Sequence, residues 1–126
     1  MRPRVLAAGA VLVAAGLSAC VTQHTMYDWG SYTPSLYHYY KDPTRNVELM
    51  ASLEAIIKEA GPQKGAVPPG VYAEYGYLQL QQGRTTEAVG SFQQEMQRWP
   101  ESKVFMQRMI AVASSGQKPG VDKEPH

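Results

Sequence analysis

Between positions 71 and 100 the chain reads VYAEYGYLQLQQGRTTEAVGSFQQEMQRWP, and the small residues in that run leave few folds open. Gly76 stands in the middle of a helical pattern, where glycine costs about 1 kcal/mol relative to alanine. A glycine kept at such a position marks a place where another helix passes close to the backbone. Gly83 ends this first helix, residues 71–82, and makes a tight turn. Thr85 or Thr86 can cap a second helix with Glu87 in its acidic first turn, running to Arg98. Ala88 lies twelve residues beyond Gly76, Phe92 sixteen and Pro100 twenty-four. The spacing predicts a close helical hairpin: Gly76 and Ala88 let the helices approach, Phe92 fills the space between them, and Pro100 breaks the chain before the next helix.

These spacings resemble those of a tetratricopeptide repeat, which also favours large residues at the places of Tyr72 and Tyr75. Two positions depart from that pattern: Gln79 stands where Tyr is usual, and Glu95 where Ala is usual. One repeat matches, whereas arrays of this kind are generally stable with about three or more. The helices on either side are therefore expected to cover the two faces of the hairpin. The plainer alternative is a generic helical hairpin. By the resemblance, the first helix lines a concave face, and the peptide-facing places fall on Ala73, Tyr77, Leu80 and Gln81. Tyr77 would then offer an aromatic anchor with a polar tip, as is common at interfaces. Against that stands the reading of Tyr77 and Leu80 as core beneath a neighbouring helix.

The flanks carry their own signals. Asp42-Pro43 supplies a cap and a proline for the first helical position of a helix over residues 42–60. Val47, Met50, Leu53 and Ile57 recur on its helical period, with Leu49, Ile56 and Ala60 beside the same stripe. Gly61-Pro62 stops it, Gly61 being suited to a left-handed cap. The linker GPQKGAVPPG, with three Gly and three Pro, excludes helix over residues 61–70. Beyond Pro100 and Glu101 a further helix is expected over residues 102–113, with Phe105, Met106, Met109, Ile110 and Ala113 apolar at helical spacing. SSGQKPGVDKEPH, residues 114–126, has the composition of a tail. From Asp42 onward no segment reads as a strand. The expectation is an all-α fold: a short tetratricopeptide-like helical domain over residues 27–113, of about four helices, with an aromatic N-terminal segment.

The first twenty residues, MRPRVLAAGAVLVAAGLSAC, are not domain sequence. Arg2 and Arg4 precede an apolar run over residues 5–16 that ends in small residues, the layout of a secretory signal. That run is short of the length of about 20 residues that spans a bilayer. Leu17-Ser18-Ala19-Cys20 resembles a bacterial lipobox. The resemblance implies a signal peptide over residues 1–19, diacylglyceryl attachment at the Cys20 thiol, acylation of the new amine, and a lipidated tether over residues 20–26. Several acyl chains anchor durably, since each buried CH₂ contributes about 0.8 kcal/mol. The alternatives are an ordinary cleaved signal with a chance cysteine, or a buried free thiol. Val21 follows the cysteine, and by resemblance to enterobacterial sorting rules this favours the outer membrane.

Cys20 is the sole cysteine, so no intrachain disulfide, cysteine zinc site or CxxC motif is possible. Of the twelve basic residues Arg2 and Arg4 fall in the signal, leaving ten against eleven acidic, a formal charge of −1. No basic run is present to serve nucleic acid. His24, His38 and His126 lack the helical partners that a metal site wants; His38 beside Asp42 is the nearest pair. The chain has no nucleophile elbow and no HExxH, and its glycine-rich linker lacks the GK[ST] of a phosphate loop. Asp28, Asp42, Glu48 and Glu54 read as solvated faces. Nothing here makes a case for an enzyme, a metal or a cofactor, and binding is the better class.

In YDWGSYTPSLYHYY, residues 27–40, six of fourteen positions are aromatic. Trp29-Gly30 reads as a turn, and Thr33-Pro34 can start a short helix through Tyr40, although a tyrosine-rich stretch also suits a strand. The run can be a ligand platform, an edge or aggregation segment, or a strap that packs the tether onto the domain. Gly30, Pro34 and Lys41-Asp42 interrupt it and disfavour aggregation. The strap predicts that Trp29, Leu36 and Tyr37 pack on the helices while several tyrosine hydroxyls stay wet, with Tyr32 and Tyr39 left for a partner.

Three segments, YDWGSYTPSLYHYYKDP, VPPGVYAEYGYLQLQQG and FQQEMQRWPESKVFMQRMI, resemble an uncharacterised family of small bacterial lipoproteins, DUF4810. The resemblance covers nearly the whole chain after Cys20. It implies no activity and no catalytic residues. It also implies a lipoprotein set whose genes often stand near a homologue of the curli-secretion channel. The expected role is a non-catalytic interaction or assembly module, lipid-anchored on the periplasmic side of the outer membrane and accessory to a channel-type lipoprotein. The alternative is an envelope lipoprotein that binds glycan or lipopolysaccharide through its Tyr/Trp cluster.

Overall fold

Thr33 and Pro34 fall in the opening turn of a helix, α1 (Tyr32–Lys41), in the computed structural model, which describes residues 26–62 and 65–116. A proline is tolerated there because the first-turn N–H groups have no intrahelical acceptor. The helix ends where Asp42 turns extended, its N–H donating to the His38 carbonyl at 2.9 Å. Asp42 Oδ1 then accepts the Thr44 N–H at 3.0 Å and the Thr44 hydroxyl at 2.6 Å. The Asp-Pro start signal therefore caps a 3₁₀ turn, Pro43–Arg45, and α2 begins only afterwards (Asn46–Glu59).

That delay corrects the expected stripe. Val47 lies in the first turn of α2 and is 68% exposed, while the inward face is Leu49, Met50, Leu53 and Ile56. Ile57 and Ala60 pack against it from the side. The end of α2 also differs from expectation. Ala60 closes the helix in an extended conformation, and Gly61 is not left-handed. The ring of Pro62 drives the preceding residue towards extended backbone. Gly61 and Gly65 instead exchange backbone hydrogen bonds of 2.9 and 2.8 Å.

Three helices complete the order: α3 (Val71–Gln81), α4 (Thr85–Arg98) and, after a 3₁₀ turn at Pro100–Ser102, α5 (Lys103–Ser114). Helix and turn are the regular structure of the described residues, with a lone Gly61–Gly65 bridge beside them, so the class is all-α. A Cβ built on Gly76 would meet Phe92 Cε1 at 2.7 Å and Ser91 Cβ at 3.0 Å. The α3–α4 contact is thus as close as the glycine foretold. Gly83 makes the turn with φ of 78°. Neither Thr85 nor Thr86 caps α4. The turn is so tight that Arg84 is already the cap, its N–H donating back to the Gln79 carbonyl at 2.9 Å.

Successive helices pack on one another, α1 on α2, α2 on α3, α3 on α4 and α4 on α5. Two apolar clusters result. Leu49, Leu53, Val67, Val71 and Leu78 fill the space between α2 and α3, with Leu36 and Tyr39 of α1 laid over them. Leu80, Ala88, Phe92, Met106 and Ala113 join α3, α4 and α5. Each buried Val, Leu, Phe or Met side chain among them stabilises the fold by about 1.5–3 kcal/mol.

The aromatic run is placed differently from expectation. Leu36 packs on the core, but Trp29 and Tyr37 are exposed. On α1 the residues that share the inward stripe are Tyr32, Leu36 and Tyr39, at helical spacing, and Tyr37 lies a residue off it. Trp29 precedes the helix and joins a chain of rings. Tyr27 meets Trp99 edge-on at 6.2 Å and Trp29 at 6.3 Å, and Trp29 meets Tyr32 at 5.2 Å. The stretch before α1 is fastened by rings on rings, at the end of α4, while α1 itself packs on the core through Tyr32, Leu36 and Tyr39. No helix of the described residues is long and apolar enough to cross a membrane. The expected signal segment over residues 1–19, Cys20, His24 and the residues beyond Gly116 lie outside the described residues.

Candidate functional site

Residues 73, 74 and 77 share a face of α3, and residues 105, 106 and 109 share a face of α5. The two faces enclose an open groove of about 370 Å³, lined by Ala73, Glu74, Tyr77, Phe105, Met106 and Met109, with Phe92 beneath and Gly70 at one end. The floor is well packed: Phe92 and Met106 are fully buried. The rim is open: Phe105 remains 60% exposed, although the sequence pattern assigned it to the core.

Val104, Phe105 and Met106 explain why. Three consecutive apolar residues on a helix spread over about 200° of its circumference at 3.6 residues per turn. They cannot all face the same core. Met106 takes the buried position, and Phe105 and Val104 are left outside it. This run was the available sign of a surface site, and periodicity alone overlooked it.

The groove has one carboxylate. Glu74 is half-buried, and its Oε2 accepts a hydrogen bond of 2.7 Å from the Tyr32 hydroxyl on α1. Burial raises the Glu74 pKa, and the Tyr32 bond opposes that shift in part. Burial also pushes the Tyr32 hydroxyl well up, helped by the Glu74 hydrogen bond and the nearby negative charge. Among the described residues no lysine or arginine lies within ion-pair distance of Glu74.

A second carboxyl sits behind the groove. Glu95 is 2% exposed, and its Oε1 accepts the Gly70 N–H at 2.7 Å. Its Oε2, with Trp99 Nε1, is buried without a hydrogen-bond partner among the described residues. Nearby, Ser91 donates to Gln79 Oε1 at 2.7 Å. Gln79 and Glu95, the two departures from the repeat pattern, are thus the buried polar groups that tie α3 to α4.

Of the residues singled out from sequence, Ala73 and Tyr77 line the groove. Tyr77 also packs sideways on the α2–α3 cluster, so anchor and core are both part of its position. Leu80 is buried core. Gln81 is half-buried at the far end of α3, away from the groove lining. Tyr32 reaches the groove through Glu74, whereas Tyr39 lies on the α2 side. His38 and Asp42 form no site. Asp42 is spent on Thr44, and His38 Nδ1 lies 3.5 Å from Glu48 Oε2, which Arg45 also holds. The described residues contain no group of three His, Cys, Asp or Glu suited to a metal ion.

The sequence pattern described as Domain of unknown function (DUF4810) matches residues 26–109. No curated protein and no solved structure matches the chain.

Proposed function

The chain belongs to the DUF4810 family, and from that premise we propose that it is a non-catalytic protein-interaction module, lipid-anchored through Cys20 on the periplasmic side of the bacterial outer membrane. The observation that carries this reading is the α3–α5 groove, whose buried apolar floor lies beneath an exposed Phe105. Large apolar side chains held open around a formed groove are a hallmark of a docking surface.

Further support comes from the tetratricopeptide-like spacing, since Ala73 and Tyr77 line the groove at the places that the resemblance names. The lipobox-like Leu17-Ser18-Ala19-Cys20 supports the anchor. The resemblance to lipoproteins encoded near a curli-secretion-type channel supports a channel-type lipoprotein as the partner.

The test is photo-crosslinking in intact cells from a benzoylphenylalanine placed at position 105, with Cys20→Ala as control. A discrete adduct that weakens in the control is expected. No adduct from position 105 or 77 sinks the reading.

One observation favours a second reading, in which the aromatic segment binds glycan or lipopolysaccharide: Tyr37 and Tyr40 are exposed. Stacking on a sugar needs open ring faces, and Tyr27, Trp29, Tyr32 and Trp99 are already engaged with one another in edge-on and tilted contacts. Quenching of Trp29 by added lipopolysaccharide would restore this second reading.

A further inference from the structure

Glu74 is the residue that the groove does not explain on apolar grounds. A half-buried carboxylate without a cation is costly, and ordinary packing would place a neutral residue there. It is held in place by a directed bond from Tyr32, on a different helix, and it faces the same space as Tyr77, Phe105 and Met109. The other acidic group at this end, Glu95, is committed to Gly70. Of the arginines on α4 and its leading turn, Arg98 lies over the Tyr72 ring at 5.3 Å, and Arg84 is paired with Glu87 at 3.3 Å.

The charge pattern selects the occupant. A phospholipid headgroup or a fatty-acid carboxylate would bring negative charge against Glu74, and a glycan would find few polar groups among the lining side chains. An apolar surface bearing one positive charge satisfies both parts of the site. From Gly70 to Tyr77 the α3 wall is about 10 Å long at 1.5 Å per residue, which matches three or four residues of extended chain at about 3.3 Å each. Met109 suits such a ligand, since its unbranched side chain adapts to differing apolar shapes.

We propose that the α3–α5 groove receives a peptide segment of a partner protein that sets a lysine or arginine among apolar side chains. The cation pairs with Glu74, and the apolar groups lie between Tyr77, Phe105 and Met109. This assignment rests on the interaction-module reading and names the chemistry of its partner.

The probes are arrayed hexapeptides of Leu, Phe and Ser with one Lys at each position in turn, and matched arrays with Gln or Glu replacing Lys. They are tested against the full-length protein as recovered from the producing cell. The best Lys peptides are expected to bind about ten-fold or more tighter than their Glu counterparts. Glu74→Gln should erase that preference, Glu74→Lys should invert it, and Phe105→Ala should weaken every array. Far-UV circular dichroism checks that each variant is folded.

A Lys preference that survives Glu74→Lys overturns the assignment. Apolar peptides that bind without charge preference, yet fail with Phe105→Ala, overturn the cation's place and leave the interaction module standing. Silence on all arrays together with no crosslink from position 105 removes both. Two further outcomes reassign the groove and so overturn the proposal. One is a dimer by sedimentation that dissociates with Phe105→Ala. The other is peptide binding that appears only when residues 117–126 are deleted.

Discussion

Glu95 Oε1 accepts the Gly70 backbone N–H at 2.7 Å, so a carboxyl from α4 closes the first turn of α3. The contact spans twenty-five residues and sits where a helix welcomes an acidic group. The same side chain leaves Oε2 buried and unpartnered among the described residues, one turn from the equally unpartnered Trp99 Nε1. The bond to Gly70 stabilises and the stranded atoms oppose it.

Truncation of this side chain should therefore be costly and conservative change mild. Glu95→Ala loses a charge-assisted bond and opens a cavity, and is expected to cost about 2–4 kcal/mol. Glu95→Gln keeps an acceptor for Gly70 and should cost about 1 kcal/mol. Trp99→Phe removes a stranded donor while retaining a ring against Tyr27, and should stay within about 1 kcal/mol of the parent. Urea midpoints at neutral pH rank the three. A Glu95→Ala protein as stable as the parent would show that the bond to Gly70 contributes nothing.

Gly76 and Gly90 make a contrasting pair. Both lie inside helices, and alanine is the better helix former by about 1 kcal/mol. At Gly90 a Cβ meets nothing within 4 Å, so Gly90→Ala should raise stability by about 0.5–1 kcal/mol. At Gly76 it meets the buried Phe92 ring at 2.7 and 2.9 Å. There the overpacking should outweigh propensity, with a net loss of about 1–3 kcal/mol. Thermal melts of the two variants should move in opposite directions, and Phe92→Leu should recover part of the Gly76→Ala loss.

The same pair shows what was legible in the sequence. Helix existence and the α3–α4 approach could be read, because glycine and proline punctuate the chain and Gly76 has no other rationale. Boundaries were harder. Asp42-Pro43 spent its signal on a 3₁₀ turn, which moved Val47 out of the core stripe. Gly61 lost its left-handed role to the neighbouring proline. In the groove, Ala73 and Tyr77 follow from position on α3, but Glu74 acquires meaning only from Tyr32, forty-two residues away. Gln79, Ser91 and Glu95 are likewise paired across helices, and no periodicity marks a buried polar contact.

Glu74 gives stability a pH dependence of definite sign. Its folded-state pKa lies above the unfolded value of about 4.3. Between the two values the folded chain holds a proton that the unfolded chain has released. The contribution is fully present below the unfolded value and is lost as pH rises through the folded one. Asp42 and Glu48 act oppositely. Thr44 and Arg45 hold their pKa values low, so their contributions fade as pH falls through those lowered values. Subtracting the melting profile of Glu74→Gln from that of the parent should isolate the first effect. The parent should fall relative to the variant as pH rises from about 4 to 7. A parallel pair of profiles would remove Glu74 from the account.

Two phenylalanines separate fold from function. Phe92 is fully buried against Gly76, and Phe92→Ala should cost about 3–5 kcal/mol and compromise the domain. Phe105 stands on the groove rim at 60% exposure, where truncation should change stability by no more than about 0.5 kcal/mol. If the rim exists for a partner, Phe105→Ala should nevertheless lose most of the in-cell crosslinking from position 77, since exposed aromatic anchors commonly contribute about 2 kcal/mol or more to an interface. Denaturation and crosslinking read on the same preparation decide the matter. An unaltered crosslink from a stable Phe105→Ala protein would move the docking surface away from the α3–α5 groove. A large loss of stability would instead return Phe105 to the core, where its helical spacing had first placed it.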